Sequence, residues 1–307
     1  YDQARDYYQQ ALEINIEFGD RHSCARTYHN LGYVAQQLRE YDQARDYYQQ
    51  ALEIFIEFGD RYSCASTYHQ LGSVAEDLRE YDQARDYYQQ ALEINIEFGD
   101  RHSCARTYHN LGYVAQQLRE YDQARDYYQQ ALEIFIEFGD RYSCASTYHQ
   151  LGSVAEQLRE YDQAGDYYQQ ALEIKIEFGD RYSCAMTYHQ LGIVAQQLRE
   201  YDQAGDYYQQ ALEIFIEFGD RYSCASTYYQ LGKVAEELGE LEEAKANYLQ
   251  DLVITAEFND EHGLGISLRN LARFYQTTQD EDLLREVAKI FGTTVEGLKE
   301  AIINSEE

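Results

Sequence analysis

Residues 19–59 read GDRHSCARTYHNLGYVAQQLREYDQARDYYQQALEIFIEFG. In the first half, apolar residues fall at Cys24, Tyr28, Leu31, Ala35 and Leu38. Those spacings of four, three, four and three mark one face of a helix. Gly19-Asp20 reads as a stop followed by a start: glycine suits the left-handed position that ends a helix, and aspartate caps the next one. After a short turn, Asp42 is expected to cap a second helix from about Gln43 to Phe58. Its apolar stripe is Ala44, Tyr48, Ala51, Phe55 and Phe58, with Leu52 and Ile56 beside it. Gly32, Ala35, Ala44 and Ala51 are small where two helices must approach closely. The unit is therefore a helical hairpin, and it can bury its second face only against another hairpin.

The chain supplies those neighbours. The decapeptide that starts at Tyr1 recurs at Tyr41, Tyr81 and Tyr121, returns with arginine changed to glycine at Tyr161 and Tyr201, and is worn at Leu241. A fixed 40-residue period means stacked copies of one unit rather than a globule with one core. The expected fold is an all-α, right-handed α-solenoid of antiparallel helix hairpins with a C-terminal helical cap. Residues 1–18 are the second helix of an incomplete repeat, 19–258 are six hairpins, and 259–307 are a degenerate repeat helix and the cap. In that last part Glu261 to Gln279, Asp282 to Phe291 and Val295 to Ile303 read as helices. Leu283, Leu284, Val287, Ile290, Leu298 and Ile302 would cover the open end. Two short helices around Gly292 also have the outline of a DNA-binding helix-turn-helix, but the acidity favours the cap. Tyr1 falls in mid-repeat, so a longer parent protein is expected.

Composition narrows the function classes. The net charge is -30, proline and tryptophan are absent, and there are 33 tyrosines. A polyanion repels phosphate backbones and anionic bilayers, which disfavours nucleic acid and membrane as partners. Neutral or basic proteins stay open, and the charge also keeps a tyrosine-rich array dissolved. No apolar run is long enough to span a bilayer. The six cysteines, Cys24, Cys64, Cys104, Cys144, Cys184 and Cys224, come one per copy. Neighbours stand roughly 10 Å apart in stacked helices, beyond the roughly 7 Å reach of a disulfide. They read as core residues in a reducing compartment, and a cytoplasmic location is expected. His29, His69, His109, His149 and His189 recur at the same register, with Tyr229 in the last copy. None has a second ligand at i+4, so no metal is expected. No phosphate loop, nucleophile elbow or paired catalytic carboxylate is present. The chain is expected to be neither an enzyme nor a cofactor carrier.

Tyr28, Leu31, Gly32 and Ala35, followed by Ala44, Tyr48 and Ala51, resemble the tetratricopeptide repeat signature at its usual offsets. Tyrosine replaces the usual tryptophan, the late proline is missing, and the unit is longer than the common form. The spacing and the segment Glu57 to Arg61 are similar to the repeats of Pins/LGN-type polarity scaffolds and of bacterial arrays attached to signalling NTPases or CHAT-type proteases. The resemblance implies that the first helix of each repeat lines a concave groove that binds protein or extended peptide.

Comparing the copies isolates candidate groove residues. Residues 1–80 and 81–160 differ only at Asp77 against Gln157. Within the first block, the first-helix differences are His22/Tyr62, Arg26/Ser66, Asn30/Gln70, Tyr33/Ser73, Gln36/Glu76 and Gln37/Asp77. Positions 22, 26, 30, 33 and 37 form one helical stripe. Arg106, Asn110, Tyr113 and Gln117 repeat the first pattern, Ser146 and Gln150 the second, while Met186, Ile193 and Lys233 depart from both. With the histidines they are the expected ligand groove. Tyrosine gives rigid contact area, asparagine and glutamine hydrogen-bond an extended backbone, and Arg26 and Arg106 can hold carboxylates. Asn30 and Asn110 match the asparagine such scaffolds use on peptide backbones. The position of Asn15 changes nearly in step with that of His22, so those two side chains are expected to touch. The favoured function is a peptide-binding sensor or scaffold arm of a larger protein. A structural spacer or self-assembling solenoid, joined through its open repeat ends, and a regulatory array against a catalytic domain are the alternatives.

Overall fold

The computed structural model describes residues 1–258 and 261–304, the side chains of 300–304 excepted, so Ile302 lies outside the described side chains. Every described element is a helix, and the chain divides into two compact units. Unit 1, Tyr1–Leu158, holds α1 (Asp2–Glu17), α2 (Arg21–Gln37), α3 (Tyr41–Phe58), α4 (Arg61–Asp77), α5 (Tyr81–Phe98), α6 (Arg101–Gln117), α7 (Tyr121–Phe138) and α8 (Arg141–Gln157). Unit 2, from Arg159, holds α9 (Tyr161–Glu177), α10 (Arg181–Gln197), α11 (Tyr201–Phe218), α12 (Arg221–Leu238), α13 (Leu241–Glu257), α14 (Glu261–Thr278), α15 (Glu281–Phe291) and α16 (Val295–Asn304). Within each unit, consecutive helices pack in antiparallel pairs, the hairpin arrangement of an α-solenoid.

Two kinds of turn alternate. Gly59 ends α3 with φ 69°, in the left-handed region. Asp60 then caps α4, accepting from the Ser63 backbone N–H at 3.1 Å and from its hydroxyl at 2.8 Å. The other turn differs from the sequence expectation. The N-cap of α3 is Glu40, which makes no side-chain cap bond, and Asp42 lies inside the first turn. The cause is Arg39, which takes φ 62° and reverses the chain in fewer residues than expected. Asp42 still favours the helix start through the dipole.

The core is a repeated contact. Tyr48, Tyr88, Tyr128, Tyr168 and Tyr208 are fully buried on the second helices. Within each unit the ring rests on the glycine of the preceding helix, as Tyr48 on Gly32, Tyr88 on Gly72, Tyr128 on Gly112 and Tyr208 on Gly192; a Cβ on Gly32 would lie 2.7 Å from the Tyr48 ring. Leu31, Val34, Ala35 and the free cysteines complete the interior of the first helices. Two stripe assignments need correction. Phe58 and Ile56 are more than half exposed, because the last turn of α3 is only partly covered, Phe58 meeting the His22 ring edge-on at 5.5 Å. The stripe also omitted Val34 and Thr27, which are buried in every copy of unit 1 that carries the full hairpin.

Ion pairs brace the outside of adjacent copies. Arg45 meets Glu80 at 2.5 Å, Arg85 meets Glu120 at 2.6 Å, and Arg21 pairs with Glu57. At the chain's far end Leu283, Leu284 and Val287 of α15 are buried, and Leu298 and Ile290 pack against the same cluster as Leu271 and Phe274.

Candidate functional site

The variable stripe of unit 1 borders a row of hollows between successive first helices. One, of about 210 Å³, is lined by Arg26, His29, Asn30, Phe55, Tyr62, Ser63 and Ser66. A second, of about 240 Å³, is lined by Arg106, His109, Asn110, Phe135, Tyr142, Ser143 and Ser146, with His69 at its edge. The two linings match residue for residue at an offset of 80. Between them lies a hollow of a different type, about 220 Å³, where Tyr62, Ser66, His69, Gln70, Asn95 and Arg106 are among the walls. Toward the other end of the helices, Glu76, Asp77, Arg79, Tyr81, Tyr113 and Gln117 enclose about 340 Å³.

The histidines are fastened in place. His29 Nδ1 lies 3.1 Å from Thr67 Oγ1, and its ring meets the buried Tyr48 edge-on at 5.3 Å. Thr67 spends its single hydroxyl proton on the Ser63 carbonyl at 2.8 Å. It can therefore only accept from the histidine, which fixes Nδ1–H as the tautomer. His189 and Thr227 repeat the bond at 3.1 Å in unit 2. Burial disfavours the imidazolium, lowering His29 and His109 and pushing His69 and His189 down to about 4. The nitrogen left over on these rings is Nε2, an acceptor. The Asn110 amide approaches Nε2 of His69 at 3.4 Å, whereas Nε2 of His109 is buried without a partner.

The other stripe residues divide by exposure. Arg26, Ser66, Arg106, Ser146 and Met186 are exposed, as are Gln37, Asp77 and Gln117. Arg26 and Arg106 have no ion pair among the described residues, unlike the arginines that brace the copies. Gln70, Ser73, Asn110, Tyr113, His149, Gln150 and Ile193 are half-buried, while Asn30 and Tyr33 stand exposed. Lys233 sits 5.6 Å above the Tyr229 ring. Gln36 donates to Ser73 at 2.9 Å and to Asp77 at 3.0 Å.

The expected contact of Asn15 with His22 is not the one formed. Asn15 donates to Thr27 at 3.2 Å. His22 instead meets Phe55 and Phe58 edge-on, and its Nε2 lies 2.9 Å from Asp60. Phe55 holds the register of Asn15 one copy later. Because the pattern alternates with a period of two copies, covariation alone could not tell the preceding helix from the following one. His102 with Phe135, at 6.0 Å, confirms the pairing.

Glu76 lies off the variable stripe. Its only signal was the Gln36/Glu76 alternation. Its carboxyl accepts from Tyr88 at 3.1 Å, and burial pushes it up to about 7. Among the described residues no group of three or more His, Cys, Asp or Glu could hold a metal, and no helix is long and apolar enough to cross a membrane.

A tetratricopeptide repeat family model matches residues 1–57, 63–137, 103–177, 143–217 and 183–252. No curated protein matches the sequence. Among solved structures, a Signal Transduction ATPase with Numerous Domains from Pyrococcus horikoshii, which carries a tetratricopeptide repeat sensor, aligns with a TM-score of 0.75 at 17% identity. The match covers 97% of this chain and 45% of that one. BtubC from P. vanneervenii aligns with a TM-score of 0.63 at 22% identity, covering 71% of this chain and 92% of its own. A Rap protein complexed with Competence and Sporulation Factor aligns with a TM-score of 0.55 at 16% identity, covering 87% and 76%. At these identities the likeness is one of fold.

Proposed function

The chain belongs to the tetratricopeptide repeat family, and from that premise we propose that it binds an extended protein segment along the first helices of its repeats. The observation that carries this reading is the pair of matched hollows around Arg26 and Arg106. Each presents a guanidinium with no ion pair among the described residues, an asparagine amide, a tyrosine and serine hydroxyls. That set suits the carbonyls, amides and carboxylates of a peptide. In a chain of net charge -30, two cations left unpaired on one stripe are available to a ligand. The overall charge favours a segment that is neutral or basic outside those two contacts. Nucleic acid and anionic membrane do not fit such a surface. The array acts as the sensor or scaffold arm of a longer protein, without catalytic chemistry of its own.

The sequence supplies a variant that should fold. Arg26, Asn30 and Tyr33 are serine, glutamine and serine one copy later. Changing Arg26→Ser, Asn30→Gln, Tyr33→Ser, Arg106→Ser, Asn110→Gln and Tyr113→Ser therefore uses residues already native to those registers. Peptides selected from a random display library on the intact chain are expected to bind this sixfold variant at least tenfold more weakly, at unchanged helical circular dichroism. Equal binding by both proteins would sink the reading.

A further inference from the structure

One register of the repeat places a polar side chain against the next copy. At 36 and 116 it is glutamine, donating to Ser73 at 2.9 Å and to Ser153 at 2.9 Å. At 236 it is glutamate, and Arg273 of the following first helix meets both its oxygens at 2.6 Å. Tyr248 also donates to that carboxylate at 2.8 Å. Glu236 is accordingly held below the usual carboxylate range, with the Arg273 hydrogen bonds as the main cause.

Glu76 has the same surroundings with one part removed. Tyr88 stands where Tyr248 stands, and donates to Oε2 at 3.1 Å. The register of Arg273 is Tyr113, and no ion pair reaches Glu76 among the described residues. Oε1 has no donor there either. The carboxyl borders a hollow of about 340 Å³ whose further walls are Asp77, Arg79, Tyr81, Tyr113 and Gln117. The titratable groups facing Glu76 are Tyr88 from α5, Asp77 from its own helix, Tyr113 from α6 and Tyr128 from α7. Arg79 is the one cation on the rim. The titratable groups coupled to Glu76 are thus an acid and phenols, with Arg79 and Gln117 completing the walls of the hollow beside it.

We propose that this hollow is a receptor for a guanidinium or ammonium group carried by the bound segment, with Glu76 as its counter-charge and Tyr113 and Tyr81 as its aromatic walls. An arginine side chain supplied in trans completes the arrangement that Arg273 completes at Glu236. The inference deepens the peptide-binding reading and rests on it for the carrier of the cation. A cation binds the ionised carboxyl, so binding strengthens as pH rises through about 7, where free Glu76 titrates, and releases a proton below that.

The test uses the full chain and two small probes, N-acetyl-arginine amide and its neutral isostere N-acetyl-citrulline amide, followed by the backbone amide NMR signals of Tyr113 and Gln117. The arginine probe is expected to bind at least tenfold more tightly than citrulline at pH 8, and to lose most of that preference at pH 6. Glu76→Gln should abolish the preference and its pH dependence. Tyr113→Arg should also abolish it, because the new side chain occupies the site from within, and its helical circular dichroism reports that the fold is kept. Glu93→Gln removes the same charge from an exposed position and should leave the preference intact. Retention of the preference in Glu76→Gln, or an equal loss in Glu93→Gln, overturns the proposal in favour of general attraction to a polyanion. Glu76→Gln leaves Arg26, Arg106 and Tyr113 unchanged, so loss of the arginine preference with library-peptide binding intact, or the reverse, separates the two readings.

Discussion

A histidine that gives its Nδ1 proton to a threonine has one nitrogen left for anything else. In this chain the recurring histidines tie first helices of adjacent copies together, as at His29 and Thr67. Burial, rather than that bond, keeps them neutral. The folded-state value of His69, about 4, lies below the ordinary 6.5. Between those values the unfolded chain takes up the proton first, so stability is full above pH 6.5 and falls as pH drops toward 4. By linkage one such histidine accounts for a loss of up to about 2 kcal/mol at pH 5. Glu76, raised to about 7, works in the opposite direction: its contribution is present at low pH and lost as pH rises through 7. A His69→Asn variant isolates the histidine. Urea unfolding at pH 7 and pH 5 should show a smaller loss on acidification in the variant than in the parent; an equal loss would show that His69 is not held neutral.

At the scale of the element, two glycines of the hairpin have different physical reasons to be glycine. Gly72 lies within a helix, and a Cβ there would stand 2.6 Å from the Tyr88 ring. Gly59 has open space around it but sits at φ 69°. Gly72→Ala must push a fully buried tyrosine out of place, at a cost of about 1–3 kcal/mol. Gly59→Ala meets only backbone strain of about 1 kcal/mol. Thermal unfolding is expected to rank Gly72→Ala as the more destabilising. The reverse order would mean that the tyrosine–glycine contact is not what sets the distance between the two helices of a hairpin. The cap can be tested alongside them: Asp60→Ala removes the bond to the Ser63 amide and should cost about 1 kcal/mol.

At the scale of the molecule, the proposed peptide binding would make unit 1 bivalent through its 80-residue duplication. The hollows at Arg26 and Arg106 have the same lining, and two copies separate them, roughly 20 Å at ordinary helix spacings. A peptide that fits one should fit the other. Two copies of a library-selected peptide joined by a flexible linker that spans this distance should bind about a hundredfold more tightly than one copy. Arg106→Ser should return the tandem peptide to single-copy affinity. A tandem peptide no tighter than its monomer would show that the hollows are not engaged independently.

The hairpin was legible in the sequence because its causes are local or strictly periodic. Gly19-Asp20 marks a helix end and start by backbone preference, and the 3.6-residue spacing of Cys24, Leu31 and Ala35 names the buried face. The place of Phe58 was not legible, since a residue with the right spacing at the end of a helix is buried only if a neighbour reaches that far. Nor could the alternation of Asn15 and His22 choose between two helices that carry the same period. The sequence by itself determined the unit, its repetition and the stripe that varies. Tertiary structure alone decided which side chains of that stripe are already spent. It ties His29, His69 and His189 to threonines, leaves Arg26 and Arg106 without an ion pair among the described residues, and gives Glu236 an arginine while setting Glu76 beside an open hollow. Those outcomes depend on which residue of one copy faces which residue of the next, and contact between distant positions is fixed only when the helices pack.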